Sequence, residues 1–283
     1  MTIARKFSAA FARHVVEKVA TATIGSLFVS DVGQRIRRTL SAKVTGNPVP
    51  DVRAAVIAHV YYVDLLNEIL ACRKSIPGSV PLHLTVPTDR IDSVASRVAG
   101  LANVHLHPYE NRGRDIAPFM GVLSSGALDG YDAVLKLHTK RSPHLIDGET
   151  RRKLLFAMLC GEPSVATKVL AAFENPATGI VGWRFCYRTG RSYWMKNEAR
   201  VCAIAARMGA DGVTRLGFFE GSMFWFRPAA LVALRELDLT SEDFEPEARQ
   251  LDGTLHHAIE RCFTIAAWAR GYVVRDLRGR VLP

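Results

Sequence analysis

Residues 104–139 read VHLHPYENRGRDIAPFMGVLSSGALDGYDAVLKLHT. The first six residues, 104–109, are short and β-rich and predict a strand. RDIAPFMGVLSSGAL continues as a helix, with Pro118 tolerated in its first turn. DAVLKLHT, 132–139, is another apolar run of strand length. Strand, helix and strand in this order predict a parallel βαβ unit. Upstream, AAVIAHVYY (54–62) and PLHLTVPT (81–88) read as strands, each followed by a helical pattern. The helix after the second strand opens with Thr88 or Asp89 as its expected N-cap.

The second half alternates less regularly. Residues 149–174 have helical periodicity, 178–183 and 221–228 read as strands, and SYWMKNEARVCAIAARMGA reads as a helix after a turn. DGTLHHAIERCFTIAAWARG is a long helix closed by Gly271, and YVVRDL is a last strand. The expected class is α/β, a mostly parallel central sheet with helices on both faces.

Composition narrows the function. The chain has 283 residues and a net charge of +10, which favours an anionic partner. Five scattered cysteines without a C-x-x-C pair argue against a disulfide framework. No apolar run approaches the ~20 residues that span a bilayer, and no clear signal-peptide layout is present, so a cytoplasmic location is expected. Residues 1–50 carry eight basic residues against two acids, beside a stripe of Phe7, Phe11, Val15 and Val19. This arm either packs on the core or lies on an anionic membrane, which would make the protein peripheral at the inner face of the plasma membrane. Residues 51–283 form the main domain, divided near 145 into a ligand-binding first half and a second half.

In an open parallel sheet, ligands bind outside the carboxyl ends of the strands. His59, Tyr61 and Tyr62 follow the first strand, and Thr88 and Asp89 the second. Asn111, Arg112, Gly113, Arg114 and Asp115 follow the third; His138, Thr139, Lys140 and Arg141 follow the fourth. The arginines and the lysine bring positive charge to one rim, Gly113 allows a close turn, and a helix start supplies free N–H groups. Together these suit a diphosphate. No P-loop, G-x-G-x-x-G or G-x-S-x-G motif occurs, and no histidine spacing suggests a metal site. A basic recognition helix and an aromatic RNA motif are also absent, so no nucleic-acid partner is expected.

HVYYVDL, ENRGRDIAPFM, YDAVLKLHTKRS, EGSMFWFRPAAL and DGTLHHAIERCF together resemble the rhamnan synthesis protein F family, from about residue 54 to 275. The resemblance implies a glycosyltransferase of bacterial cell-surface polysaccharide synthesis. Its donor would be a nucleotide sugar, dTDP-rhamnose or a relative, and its acceptor a growing or lipid-linked glycan. A weaker similarity to GT-A glycosyltransferases implies a GT-A-like fold. The metal-binding D-x-D of those enzymes is replaced here by His138-Thr139-Lys140, so no metal is expected. Asp252 matches the position of their inverting general base, or else caps the helix. Glu220 is the alternative base, or a specificity residue near the acceptor. On the acceptor side stand His256, and Phe224 and Trp225 as either a sugar platform or core. A non-catalytic binding module of the same system is the competing reading.

Overall fold

The structure is a computed structural model that describes residues 49–139, 141, 148–213 and 215–283. Nearly all of the basic arm, and Lys140, lie outside the described residues.

The expected alternation is present. In chain order come β1 (Ala54–His59), α1 (Leu66–Ser75), β2 (Leu82–Pro87), α2 (Ile91–Val98), β3 (Val104–Tyr109), α3 (Ile116–Ser124) and β4 (Ala133–His138). Then follow α4 (Gly148–Cys160), α5 (Pro163–Phe173), β5 (Thr178–Gly182), β6 (Tyr187–Arg188), α6 (Glu198–Arg207) and β7 (Phe218–Phe219). The last elements are β8 (Phe224–Phe226), α7 (Val232–Arg235), α8 (Leu255–Ala269) and β9 (Val273–Asp276).

One seven-stranded sheet runs in the order β3-β2-β1-β4-β8-β5-β9. Its strands are parallel except β8, which is antiparallel to both neighbours. Both faces are covered, so its central strands are apolar on both sides. Ala55, Ile57, Val134, Phe224 and Phe226 face a core shared with α3, α6, α7 and α8. Val56, Ala58, Leu135, Leu137 and Trp225 face a second core with α1, α2, α4 and α5. The sheet joins both halves of the domain, since β8, β5 and β9 extend the sheet begun by β1–β4.

Several local expectations need correction. The helical stretch at 149–174 is two helices, bent by 62° where Gly161 and then Pro163 interrupt it. The helix expected across 192–210 begins only at Glu198; Met195, at φ 50°, breaks the turns before it. The α2 N-cap is Arg90, because Thr88 and Asp89 sit in a preceding 3-10 turn. The two-residue strands β6 and β7 pair with each other and are too short to leave a sequence pattern. Gly271 does close α8: its N–H and that of Tyr272 donate to the carbonyls of Trp268 and Ala267, each at 2.9 Å.

Phe224 and Trp225 are core rather than a sugar platform. Trp225 is 0% exposed and its indole N–H donates to Leu159 O at 3.0 Å. Phe224 packs on Phe263 with ring centroids 5.2 Å apart. Their strand has cover on both sides, so neither alternation face reaches solvent. Among the described residues no single helix is long and apolar enough to cross a membrane.

Candidate functional site

The strand order reverses between β1 and β4. The chain leaves β1 toward β2 and β3, then returns to lay β4 on the other side. That reversal opens a crevice at the carboxyl ends of the two strands. His59 and His138 are register partners there. Thr139 welds the two ends: its hydroxyl accepts from the N–H groups of Tyr61 and Tyr62, each at 2.9 Å, and its N–H donates to His59 O at 2.9 Å. His59 shares a 2.9 Å hydrogen bond with Thr85, and burial lowers its pKa to about 4, so the ring is neutral. His138 Nε2 donates to Gly221 O at 2.7 Å.

A cavity of about 630 Å³ occupies this crevice. Its first wall comes from the turn after β1, with His59, Tyr61 and Tyr62; its second from His138, Thr139 and Arg141. Asn111, Arg114 and Asp115 supply the floor before α3. A strap before α8 closes the remaining side with Glu247, Arg249 and Leu251. Arg141 pairs with Asp64 and lies 5.2 Å from the Tyr62 ring centroid. Gly113 stands behind this floor at φ 61°, where a Cβ would lie 2.5 Å from Ala117 Cβ and 2.8 Å from the Phe244 ring. Only glycine meets both the dihedral and the space.

A profile of the family described as "Rhamnan synthesis protein F" matches residues 15–272. The chain belongs to the rhamnan synthesis protein F family. Two proteins named "Uncharacterized protein WxcX", from Xanthomonas campestris pv. campestris strains B100 and ATCC 33913, are each 33% identical over 225 residues. The match covers 78% of this chain but 32% of each relative, so the chain spans about a third of their length. No solved structure matches. Membership of the rhamnan synthesis protein F family ties the chain to polysaccharide synthesis.

Other expected site residues of this rhamnan synthesis protein F chain fall outside the cavity wall. Thr88 donates to Tyr109 O at 3.2 Å, and Asp89 lies 3.6 Å from Arg90; both sit in the 3-10 turn that follows β2, one strand away from the reversal. Arg112 lines a separate hollow of about 550 Å³ beside Arg200 and Glu242. His256 is buried against Thr254 at 3.0 Å, and burial, then the nearby Arg114, lowers its pKa to about 4. Asp252 neither lines the cavity nor caps α8, whose N-cap is Thr254. Its side chain is 8% exposed and accepts from Lys196 N at 2.9 Å and Asn197 Nδ2 at 2.5 Å. Burial opposes its ionisation, but these donors and Arg261 hold the carboxyl below its ordinary range. Its contacts clamp the 251–254 turn to the start of α6. Glu220 is held between Arg151 at 2.6 Å and Arg188 at 2.8 Å, which outweigh burial and lower its pKa.

Lys136, Ser222, Glu247 and Arg249 were not expected. Lys136 left a signal: a lysine inside the apolar run AVLKLH has no place in a strand covered on both faces unless something buried pairs with it. Glu247 and Arg249 lie in PEARQL, which has no periodicity, and reach the cavity only because the chain folds back before α8. Among the described residues no group of three His, Cys, Asp or Glu side chains is arranged to hold a metal ion.

Proposed function

We propose that the chain is a glycosyltransferase of cell-surface polysaccharide synthesis. It takes rhamnose or a related sugar from a dTDP-linked donor and passes it to a growing or lipid-linked glycan. The observation that carries this is the cavity at the strand-order reversal, with Arg114, Arg141 and Arg249 set around it. Its size falls within the range of small-ligand sites. Arginine forks match phosphate oxygens in pairs, and positive charge there favours a departing diphosphate. The acceptor hydroxyl attacks the anomeric carbon as the bond to the diphosphate oxygen breaks. A single displacement inverts that centre, and the hydroxyl proton passes to a base. The resemblance implied Asp252, or else Glu220, for that role, but in this fold neither lines the cavity: Asp252 is engaged by Lys196 and Asn197, and Glu220 by Arg151 and Arg188.

Calorimetry with a panel of nucleoside diphosphates and nucleotide sugars tests the site. Binding of at least one at micromolar to submillimolar Kd is expected, and it survives EDTA because arginines offset the diphosphate charge. Silence across the panel removes the proposal. Sugar transfer in the presence of donor and acceptor separates an enzyme from a non-catalytic binding module.

A further inference from the structure

Lys136 stands in the middle of β4 and is 2% exposed. By strand alternation it shares the face of Val134, over α3 and α8. The ring centroids of Phe119 and Phe263 lie 5.2 and 5.8 Å from its Nζ. Lys136 Nζ donates to Asp115 Oδ2 at 2.6 Å, to Ser222 O at 3.1 Å and to Ser222 Oγ at 3.2 Å. Ser222 Oγ in turn donates to the same Asp115 Oδ2 at 2.6 Å. Ser222 holds this position at φ 47°, a backbone conformation that non-glycine residues rarely adopt.

Both donors fall on one oxygen. Asp115 Oδ1 receives no hydrogen bond from the described residues, while Asp115 lines the cavity with its side chain 17% exposed. Asp115 precedes α3 at the N-cap position, yet its carboxylate makes no cap hydrogen bond; it is turned to the lysine instead. Burying an ion pair among phenylalanines is a poor way to stabilise a fold, because desolvation consumes most of the attraction. Such a pair at a cavity floor points to function.

We infer that Asp115 is a fixed hydrogen-bond acceptor for a sugar hydroxyl of the ligand, positioned by Lys136 and Ser222, and is not the base of the reaction. This rests on the cavity being a nucleotide-sugar site. Oδ2 is saturated, so the carboxylate cannot swing, and Oδ1 presents its lone pairs to whatever fills the cavity. Burial alone would raise its pKa, but Lys136 and His138 outweigh it and hold the group well below the carboxylate range. A carboxylate so stabilised stays ionised, so it can accept a hydrogen bond but keeps a proton poorly. The hydroxyl belongs either to the transferred sugar or to the nucleotide's deoxyribose.

The test replaces the pair together, Asp115→Leu with Lys136→Met, and measures dTDP-rhamnose and dTDP binding by calorimetry. An apolar pair of similar volume keeps the fold, which thermal unfolding checks. Loss of roughly 10- to 100-fold for dTDP-rhamnose with dTDP unchanged supports a hydroxyl on the transferred sugar. An equal loss for both supports the deoxyribose. Unchanged binding of both by the folded variant overturns the inference. If the double variant does not fold, Asp115→Asn decides, with about a 10-fold loss of dTDP-rhamnose affinity expected and no loss overturning it. Normal binding by Asp115→Asn with a turnover drop beyond 100-fold also overturns it, since the residue would then be the base. Wild-type protein that binds neither probe, nor any of the wider panel, removes the proposed function and this inference with it.

Discussion

Arg114 and Glu247 lie 133 residues apart in the chain and meet in a two-pronged ion pair, Nε to Oε2 at 2.9 Å and Nη2 to Oε1 at 3.3 Å. Arg114 Nη2 also donates to Gln250 O at 2.6 Å. The arginine assigned to phosphate is therefore already engaged by a carboxylate from the strap, in the fork geometry that a phosphate would use. Under the proposed function a diphosphate has to compete with Glu247.

Glu247→Gln should tighten binding of dTDP by roughly 3- to 10-fold, because the arginine keeps its charge and loses its internal rival. Arg114→Ala should weaken it by at least as much. Calorimetry on both variants reads this directly. Weaker binding by Glu247→Gln would show that the carboxylate helps to hold the arginine in place rather than competing for it.

Asp252→Asn separates a clamp from a base. The amide puts a donor where Lys196 N–H or the Asn197 amide now donates, so a loss of about 1–3 kcal/mol in stability is expected from denaturant unfolding. Turnover of the folded variant should stay within ~10-fold of wild type. A fall of roughly 10²- to 10⁴-fold with normal unfolding would restore the base role read from the resemblance.

Glu220→Gln leaves Arg151 and Arg188 facing each other with no carboxylate between them. Like charges held close repel, so the midpoint of thermal unfolding should drop, and salt should recover part of the loss. If the midpoint holds while turnover collapses, Glu220 is the base.

Stability should fall as pH drops from about 6.5 toward 4. Burial lowers the pKa of His59, His83 and His256 to about 4, and that of His257 to about 3. Their folded values lie below the unfolded value near 6.5, so across this window the unfolded chain binds more protons. The stability is complete above the unfolded value and is lost as pH falls through the gap. Denaturant midpoints at pH 7.5, 5.5 and 4.5 check it; an unchanged midpoint down to pH 4.5 would falsify the buried neutral assignment.

Much of the fold was legible because strands and helices declare themselves through periodicity. The runs at 54–59, 82–87, 104–109 and 133–138 alternate with helical patterns, and a parallel sheet follows from connection geometry alone. The same logic placed His59, Tyr61, Tyr62, Asn111, Arg114, Asp115, His138, Thr139 and Arg141 at strand ends, and all of them line the cavity. What sequence could not decide was which end lies next to which. Thr88 and Asp89 follow a strand as His59 does, but β2 is one place away from the reversal in strand order. Strand order is set by long-range pairing, and every crossover looks alike locally.

Tertiary structure alone also decided how the charges are spent. Lys136 and Asp115 are 21 residues apart, and Ser222 comes from a turn that β8 carries back to β4. Nothing local to any of the three predicts the ion pair. It forms because the antiparallel return of β8 sets that turn against the strand bearing the lysine. Likewise Asp252 reads as a helix start or a base, and becomes a clamp because the turn before α6 presents Lys196 N–H to it. Residue types limit the chemistry a site can perform; packing decides which partners each group meets, because hydrogen bonds and ion pairs depend on distances that close only when the chain is folded.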